Sequence, residues 1–233
     1  MSRPVNADAA ATQSRLIETA VQHFALHGAE ATSLRKVATE AGVSLATVHY
    51  YFGTKSRLYD ACIESLHGSI ALGLAPMQEM FAEITEQLDD AQLDISNLNE
   101  MVETLVRLGF GFARGHQDLL RLIMRPLIEG GELDARWRER TLVPFLDATA
   151  EALGKATKSS PADLRFAVQT IVAVGMRYAL SSPKELVQLN GLHGKKAKIS
   201  VALKTKAIQI TEDRLVRLAQ EILLGPLSAP SIQ

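Results

Sequence analysis

Apolar residues recur at three- and four-residue steps along most of the chain, and this spacing places them on one face of an α-helix. Near the N-terminus the pattern runs through Leu16, Ala20 and Phe24 and ends at Gly28, a residue type that stops helices. The alternating pattern of a β-strand is hard to find outside the short stretch KISVAL, residues 198–203. The sequence therefore predicts an all-α protein.

Glycines, prolines and capping residues divide this pattern into separate helices. Three short helices are predicted over residues 9–27, 33–40 and 45–52. Longer helices are predicted over residues 55–74, 77–89, 97–114, 117–129, 133–153, 162–181 and 211–224. We therefore expect two domains, a three-helix head of residues 1–54 and a larger helical domain of residues 55–233.

Composition excludes several classes of protein. The 233-residue chain has a net charge of -1, so it is not a polycation that binds nucleic acid by charge alone. It contains no apolar run near the roughly 20 residues that span a bilayer, and its N-terminus lacks the apolar centre of a secretory signal. We expect a cytoplasmic protein without membrane contact. The single cysteine, Cys62, is expected to be a small core residue.

A helix-turn-helix is predicted within the head. The helix at residues 33–40 and the helix at 45–52 flank the turn AGV, residues 41–43, and Ser44 is placed to cap the second helix. In this motif the second helix can enter the major groove of DNA. At 100° per residue, the outward face of that helix carries Leu45, Ala46, His49 and Tyr50.

This face suits a DNA groove. Leu45 and Ala46 can touch a thymine methyl group, whereas His49 and Tyr50 can hydrogen-bond a phosphate or a base edge. Thr47 lies at the margin of the face. Phe52 points toward the core of the head, and the alternative is that the whole aromatic run of residues 50–52 is simply core.

The stretch TSLRKVATEAGVSLATVHYYFGTKSRLYDA, residues 32–61, resembles the DNA-binding head of the TetR family of bacterial transcriptional regulators. The matching elements are TSLRKVA, the turn AGVS, Thr47, the aromatic run ending in Phe52, and TKSRL. The resemblance covers about residues 10–62. It implies a homodimer whose two heads read a palindromic operator, and a ligand in the larger domain that changes the separation of the heads.

The resemblance also implies roles for single residues. Ser33 and Arg35 would lie against phosphate at the start of the second helix, and Lys55 would clamp phosphate at the start of the fourth. Residues 44–47 and 49–50, on and just before the recognition helix, would face the DNA. The family usually has tyrosine where this chain has His49, so operator binding would weaken as pH rises through the titration range of histidine.

The larger domain is expected to hold a dimer interface and a ligand site. The helix at 162–181 is apolar nearly all round, and the helix at 211–224, capped by Thr211, has one apolar stripe. Two such helices per chain can form a four-helix dimer interface, or they can be ordinary intrachain core. Polar or aromatic candidates for ligand contacts, which can equally be structural, are Arg107, Phe110, His116, Arg121, Arg125, Trp137 and Tyr178.

The alternatives to a DNA-binding regulator are an enzyme and a helical interaction module. An enzyme is not expected, because the sequence has no paired metal ligands, phosphate loop, nucleophile elbow or CxxC pair. The pair His23 and His27 lacks a third metal ligand nearby in sequence. A helical protein-interaction module with a head that does not read DNA stays the alternative.

We expect a ligand-responsive repressor that needs no cofactor or metal and is released from DNA by a small-molecule effector. The lysine-rich segment 195–206 is expected to be a solvated loop, with an extra DNA or partner contact as the alternative.

Overall fold

The computed structural model describes residues 5–89, 95–192 and 199–228. Within these ranges the chain is helical and has no strand, which confirms the all-α prediction. The helices in chain order are α1 (Val5–Ala31), α2 (Leu34–Glu40), α3 (Leu45–Phe52), α4 (Lys55–Asp89), α5 (Ile95–Gly115), α6 (Gln117–Gly130), α7 (Ala135–Trp137), α8 (Val143–Thr157), α9 (Pro161–Leu180), α10 (Pro183–Leu189) and α11 (Val201–Ser228), with a π-helical turn at Arg138–Leu142.

The chain forms two compact units that differ from the predicted domains. The first unit runs up to Leu72 and takes in His116–Thr141, whereas the second holds Gly73–Gly115 and resumes at Leu142. The boundary predicted after residue 54 falls inside the first unit. As a boundary between functional domains it stays a prediction.

The core of the first unit joins the head to α6. Its largest buried side chains on α1–α4 are Leu16, Phe24, Val37, Val48, Phe52, Leu58 and Ile63. Leu122 of α6 packs into the same cluster, so the three short helices do not form a core by themselves. Cys62 is also buried there, and burial raises the pKa of its thiol to about 12, which keeps the thiol protonated and inert.

Gly28 breaks α1 three residues before its end. Its φ of 79° is a left-handed conformation that a glycine adopts without a steric cost, and the Thr32 hydroxyl donates to its carbonyl at 2.6 Å. A Cβ atom on Gly28 would come within 2.7 Å of the Arg125 Nε. The backbone conformation therefore favours glycine at this position.

Two predicted helix boundaries are wrong. The predicted helices 55–74 and 77–89 are one helix, α4, which contains Pro76. A proline inside a helix removes one backbone hydrogen bond, and here the helix continues across the loss. The predicted helix 133–153 is instead α7, the π-helical turn and α8. Pro144, in the first turn of α8, has no N–H to donate to the carbonyl four residues earlier, which favours a wider turn at this point.

The core of the second unit lies among α5, α8, α9 and α11. Its buried residues include Leu98, Met101, Val102, Leu146, Leu153, Leu164, Val168, Ala219, Leu223 and Leu224. The predicted helices at 97–114 and 162–181 correspond to α5 and α9, within two residues at each end.

The C-terminal helix begins about ten residues earlier than the sequence predicts. Residues 201–206 are helical, so the prediction of a loop is wrong there, and the strand-like pattern does not form a strand. Residues 195–198 lie outside the described ranges. Thr211 is not a cap. It is buried inside α11, where its hydroxyl donates to the Ala207 carbonyl and accepts from the Asn190 side chain, each at 2.8 Å.

Among the described residues, no helix combines the length and the apolar character that crossing a bilayer requires.

Candidate nucleic-acid interface

The turn between α2 and α3 is closed by backbone hydrogen bonds. Gly42 has φ of 70°, its N–H donates to the Thr39 carbonyl at 3.1 Å, and the Val43 N–H donates to the Ala38 carbonyl at 2.9 Å. This pair of bonds is a Schellman motif, which ends a helix on a left-handed glycine. It fixes the direction in which the chain leaves α2 and enters α3, so the predicted helix-turn-helix is confirmed as a fold.

Ser44 caps α3 as predicted. Its Oγ accepts from the Thr47 backbone N–H at 3.0 Å and lies 2.8 Å from the Thr47 hydroxyl. The cap holds the first turn of α3 and directs the remaining N–H groups of that turn outward. Such N–H groups, at the positive end of the helix dipole, can bind a phosphate.

One face of α3 is buried and the other is open. Val48 and Phe52 are 1% and 6% exposed and belong to the core of the first unit. Tyr50 is 84% exposed, which rules out the alternative that the whole aromatic run is core. Tyr51 is half-buried and packs against the core. The outward residues predicted on α3, from half-buried Leu45 through exposed Ala46 and His49 to Tyr50, share the open face.

His49 is held at the end of α3. Its Nδ1 lies 2.8 Å from the Gly53 carbonyl oxygen, which only accepts, so Nδ1 carries the proton. The outer nitrogen, Nε2, is then an acceptor while the ring is neutral. It can donate to a phosphate only when the ring is protonated, so the proposed phosphate contact of His49 requires the imidazolium form.

Cationic side chains flank this face. Arg35 and Lys36 are exposed in the first turn of α2, and Ser33 precedes that helix without capping it through its side chain. The Lys55 ammonium donates to the Glu30 carbonyl at 2.8 Å and the Thr32 carbonyl at 3.3 Å. Two of its three N–H groups are therefore used within the head, a role for Lys55 that the sequence did not indicate.

One histidine of the pair on α1, His23, has a structural role. His23 is buried, and its Nε2 lies 2.9 Å from a Glu40 carboxylate oxygen, which ties α1 to the end of α2. Within the described residues, no group of three or more histidine, cysteine, aspartate or glutamate side chains is placed to hold a metal ion.

The predicted ligand contacts are divided between the two units. His116, Arg121, Arg125 and Trp137 lie in the first, and Arg107, Phe110 and Tyr178 lie in the second. Several have structural partners, as Arg107 pairs with Glu103, Glu212 and Asp213, and Arg121 pairs with Asp118. Phe110 is buried, and Tyr178 packs against a small cluster of α10 and α11. The seven residues are thus divided between two units, and their role as ligand contacts stays a prediction.

Arg125 has a clearer role than the sequence indicated. Its guanidinium donates to the Ala25 and Leu26 carbonyls of α1, at 3.5 Å and 3.4 Å, and to the Glu129 carboxylate at 2.7 Å. It joins α6 to α1 inside the first unit.

Sequence reasoning missed His67, a half-buried residue of α4 whose Nε2 atom is buried without a hydrogen-bond partner among the described residues. The Trp137 Nε1 also lacks one. Trp137 was a predicted ligand contact, but nothing in the spacing of α4 distinguishes His67 from a surface residue.

Residues 16–62 match the family described as "Bacterial regulatory proteins, tetR family". The "Probable acrEF/envCD operon repressor" of Escherichia coli (strain K12) is 35% identical over 60 residues, which are 26% of this chain and 27% of the repressor. The "HTH-type transcriptional dual regulator CecR" of Shigella flexneri is 36% identical over 67 residues, 29% of this chain and 30% of that protein. The matched region thus spans less than a third of either relative.

Solved structures extend the likeness of fold to the whole chain. A TetR-like transcriptional regulator from Rhodococcus sp. RHA1 superposes with a TM-score of 0.60 at 18% identity, covering 98% of this chain and 100% of that one. A putative TetR-family regulator from Mesorhizobium loti MAFF303099 gives 0.50 at 20% identity, covering 92% and 97%. At this identity the likeness concerns the fold alone. Residues 16–62 thus match the TetR family of bacterial regulatory proteins, and the likeness of fold extends beyond this head.

Proposed function

We propose that the protein is a DNA-binding transcriptional repressor of the cytoplasm that binds a palindromic operator as a homodimer and is released by a small-molecule effector. The observation that carries this proposal is the geometry of α3, whose anchors Val48 and Phe52 are buried while Ala46, His49 and Tyr50 are exposed. A helix held by one face at a rigid turn presents the other face to a major groove. The matched relatives are regulators.

Phosphate contacts would supply most of the affinity. Arg35, Lys36 and Lys55 lie at the starts of α2 and α4, where helix N-termini add their own N–H groups. If each of these three side chains neutralises one phosphate in both protomers, the dimer makes about six phosphate contacts. The logarithm of the binding constant should then fall with the logarithm of salt concentration with a slope of about -5.

Replacement of Arg35 by glutamine should flatten that salt slope by about 2, because one phosphate contact is lost from each protomer. Affinity should fall for all duplex sequences alike, since phosphate contacts carry no base information. The measurement is a fluorescence anisotropy titration of specific and random duplexes at four salt concentrations. Lys184→Gln, an equal charge change on exposed α10, should leave the slope unchanged. An unchanged slope for Arg35→Gln would remove this residue from the interface.

The proposed dimer interface rests on apolar residues that the single chain leaves uncovered. In α11, Leu215, Ala219 and Leu223 are buried, whereas Leu218 and Ile222, on an adjacent face, are exposed. On α9, Phe166 is 74% exposed. A single chain thus leaves part of the apolar surface of α9 and α11 exposed, and a second copy that covers both helices would bury it.

Ile222→Glu should weaken dimerisation by at least about 100-fold, because two-fold symmetry brings a desolvated carboxylate from each protomer into one apolar interface. Sedimentation velocity over a range of protein concentrations measures this directly. Leu189→Glu places the same charge on an exposed leucine of α10, outside the proposed interface, and should leave dimerisation unchanged. Equal effects of the two substitutions would place the interface elsewhere.

The effector would act by shifting a population. It releases DNA only if it favours a head spacing that does not fit two successive major grooves, roughly 34 Å apart. A preference of about 100-fold for that state supplies about 2.7 kcal/mol of coupling. Arg125 supports a route for this coupling, since it bonds α6 to the α1 carbonyls within the unit that contains the head.

A further inference from the structure

Two ring nitrogens in the first unit are buried without a partner. The Nε2 of His67 on α4 and the Nε1 of Trp137 on α7 make no hydrogen bond, and their ring centroids are 6.4 Å apart. Trp137 is only 5% exposed. Leaving a buried donor unsatisfied costs roughly 1–3 kcal/mol, so a pair of such nitrogens side by side indicates a group that the protein binds.

The chemistry of the two rings specifies that group. An indole N–H only donates. Burial, and after it the positive charge of Arg140, lowers the pKa of His67, so the imidazole is neutral and has one N–H. Its Nδ1 lies 2.9 Å from the Thr141 hydroxyl, and when that hydroxyl donates, the proton of the ring is on Nε2. Both unpartnered nitrogens are then donors, and they match an oxygen that accepts two hydrogen bonds.

Charged groups near the pair are already engaged elsewhere. Arg136 pairs with Asp60 at 2.9 Å, and Arg140 pairs with Glu64 at 2.6 Å. The Asp134 carboxylate accepts from the backbone N–H of Trp137 at 3.1 Å, not from its ring. These ion pairs do not supply the missing acceptor.

Apolar side chains and an unusual stretch of backbone also lie beside the pair. Leu66 and Ile70 flank His67 along α4 and are both buried. The π-helical turn, which contains Thr141, follows directly after Trp137. Turns of this kind occur frequently at functional sites.

We propose that His67 and Trp137 form a binding site for a small molecule with an apolar body and a carbonyl or carboxylate oxygen, which accepts from both ring nitrogens. The identification of this molecule with the effector rests on the proposed function. The binding site itself does not.

The test uses the full-length protein and the emission of Trp137, its one tryptophan. The probes are octanoate and 2-nonanone, each below its micelle concentration or solubility limit, with octylammonium as a matched chain whose head group only donates. Saturable changes in emission are expected for the two acceptor probes and not for octylammonium. Release from DNA is measured separately. The same probes are added to the complex of the protein with an operator duplex, and the anisotropy of the labelled duplex reports its dissociation.

Variants separate the proposed contact from general packing. His67→Leu should weaken binding of the acceptor probes about tenfold, the loss of one hydrogen bond. His67→Gln keeps an N–H donor and should bind within about twofold of the unchanged protein, as should His27→Leu, which removes an exposed histidine. Trp137→Phe tests the second donor. Binding of the acceptor probes to this variant is measured by calorimetry and should also be about tenfold weaker. Thermal unfolding midpoints identify any variant that does not fold.

Absence of saturable binding by both acceptor probes, or equal binding of octylammonium, would overturn the proposal and leave water as the partner of the two nitrogens. Equal affinities of His67→Leu and His67→Gln in folded protein would also overturn it. Neither result touches the proposed function, which fails instead through loss of sequence-selective duplex binding.

Discussion

Replacement of Ala46 by glutamate is expected to weaken duplex binding by at least about 100-fold without lowering the stability of the fold. Ala46 is exposed on the open face of α3. A carboxylate there would be desolvated against bases and would face phosphates of the same sign, and like-charge juxtaposition costs several kcal/mol. Each protomer of the proposed dimer carries the substitution, so the loss occurs twice per operator. Fluorescence anisotropy of a labelled duplex measures the dissociation constant.

Gln188→Glu is the matched control for this substitution. It adds the same charge to an exposed position of α10, in the second unit, whereas α3 belongs to the first. Its affinity for the duplex should change by no more than about twofold, the effect expected of net charge alone at moderate salt. Similar losses for both variants would mean that long-range charge, and not the α3 face, governs binding.

Phe24→Ala should lower the free energy of unfolding of the first unit by about 3–5 kcal/mol. Phe24 is fully buried on α1 and meets Tyr59 of α4 edge to face, with ring centroids 5.3 Å apart. Removal of the ring leaves a cavity where α1 and α4 pack together. Because α3 is anchored to the same core, duplex binding should fall with stability. Urea unfolding followed by circular dichroism gives the change.

Leu26→Ala, two residues along the same helix, provides the comparison. Leu26 is 63% exposed, so its truncation should change stability by no more than about 0.5 kcal/mol. A loss of several kcal/mol for this variant, or a small one for Phe24→Ala, would contradict the assignment of the core of the first unit.

The head could be predicted in detail because its structure is determined by local sequence. Gly42 permits the left-handed turn, Ser44 caps α3, and helical spacing alone places Val48 and Phe52 on the opposite side from Ala46. Each of these features depends on residues within one or two helical turns. Sequence patterns carry that information directly.

Features that depend on distant residues could not be predicted in the same way. Threonine is a common helix cap, but Thr211 lies inside α11, which begins at Val201. The side chain of Asn190, at the end of α10, donates to the Thr211 hydroxyl. Lys55 bonds carbonyls some 25 residues earlier in the chain, and Leu122 enters the head's core from α6. Such contacts follow from tertiary packing, which overrides local helix and loop tendencies.

The ligand candidates show the same limit. Residue type alone marks polar side chains in apolar helices as candidate ligand contacts. Arg107, Arg121 and Arg125, however, each have an ion-pair partner on the same helix that the sequence did not assign to them. The unpartnered nitrogen of His67 becomes visible only once α4 and α7 are placed together.

The operator-reading role of α3 is tested by selection of bound duplexes from a random DNA pool, with purified full-length protein at two salt concentrations. The expected result is enrichment of a palindrome whose half-sites lie one or more helical turns apart, with affinity that falls steeply as salt rises. No enriched sequence at either salt concentration would contradict it. The α3 face would then lose the reading role proposed for it, and the protein would be better described as a helical interaction module.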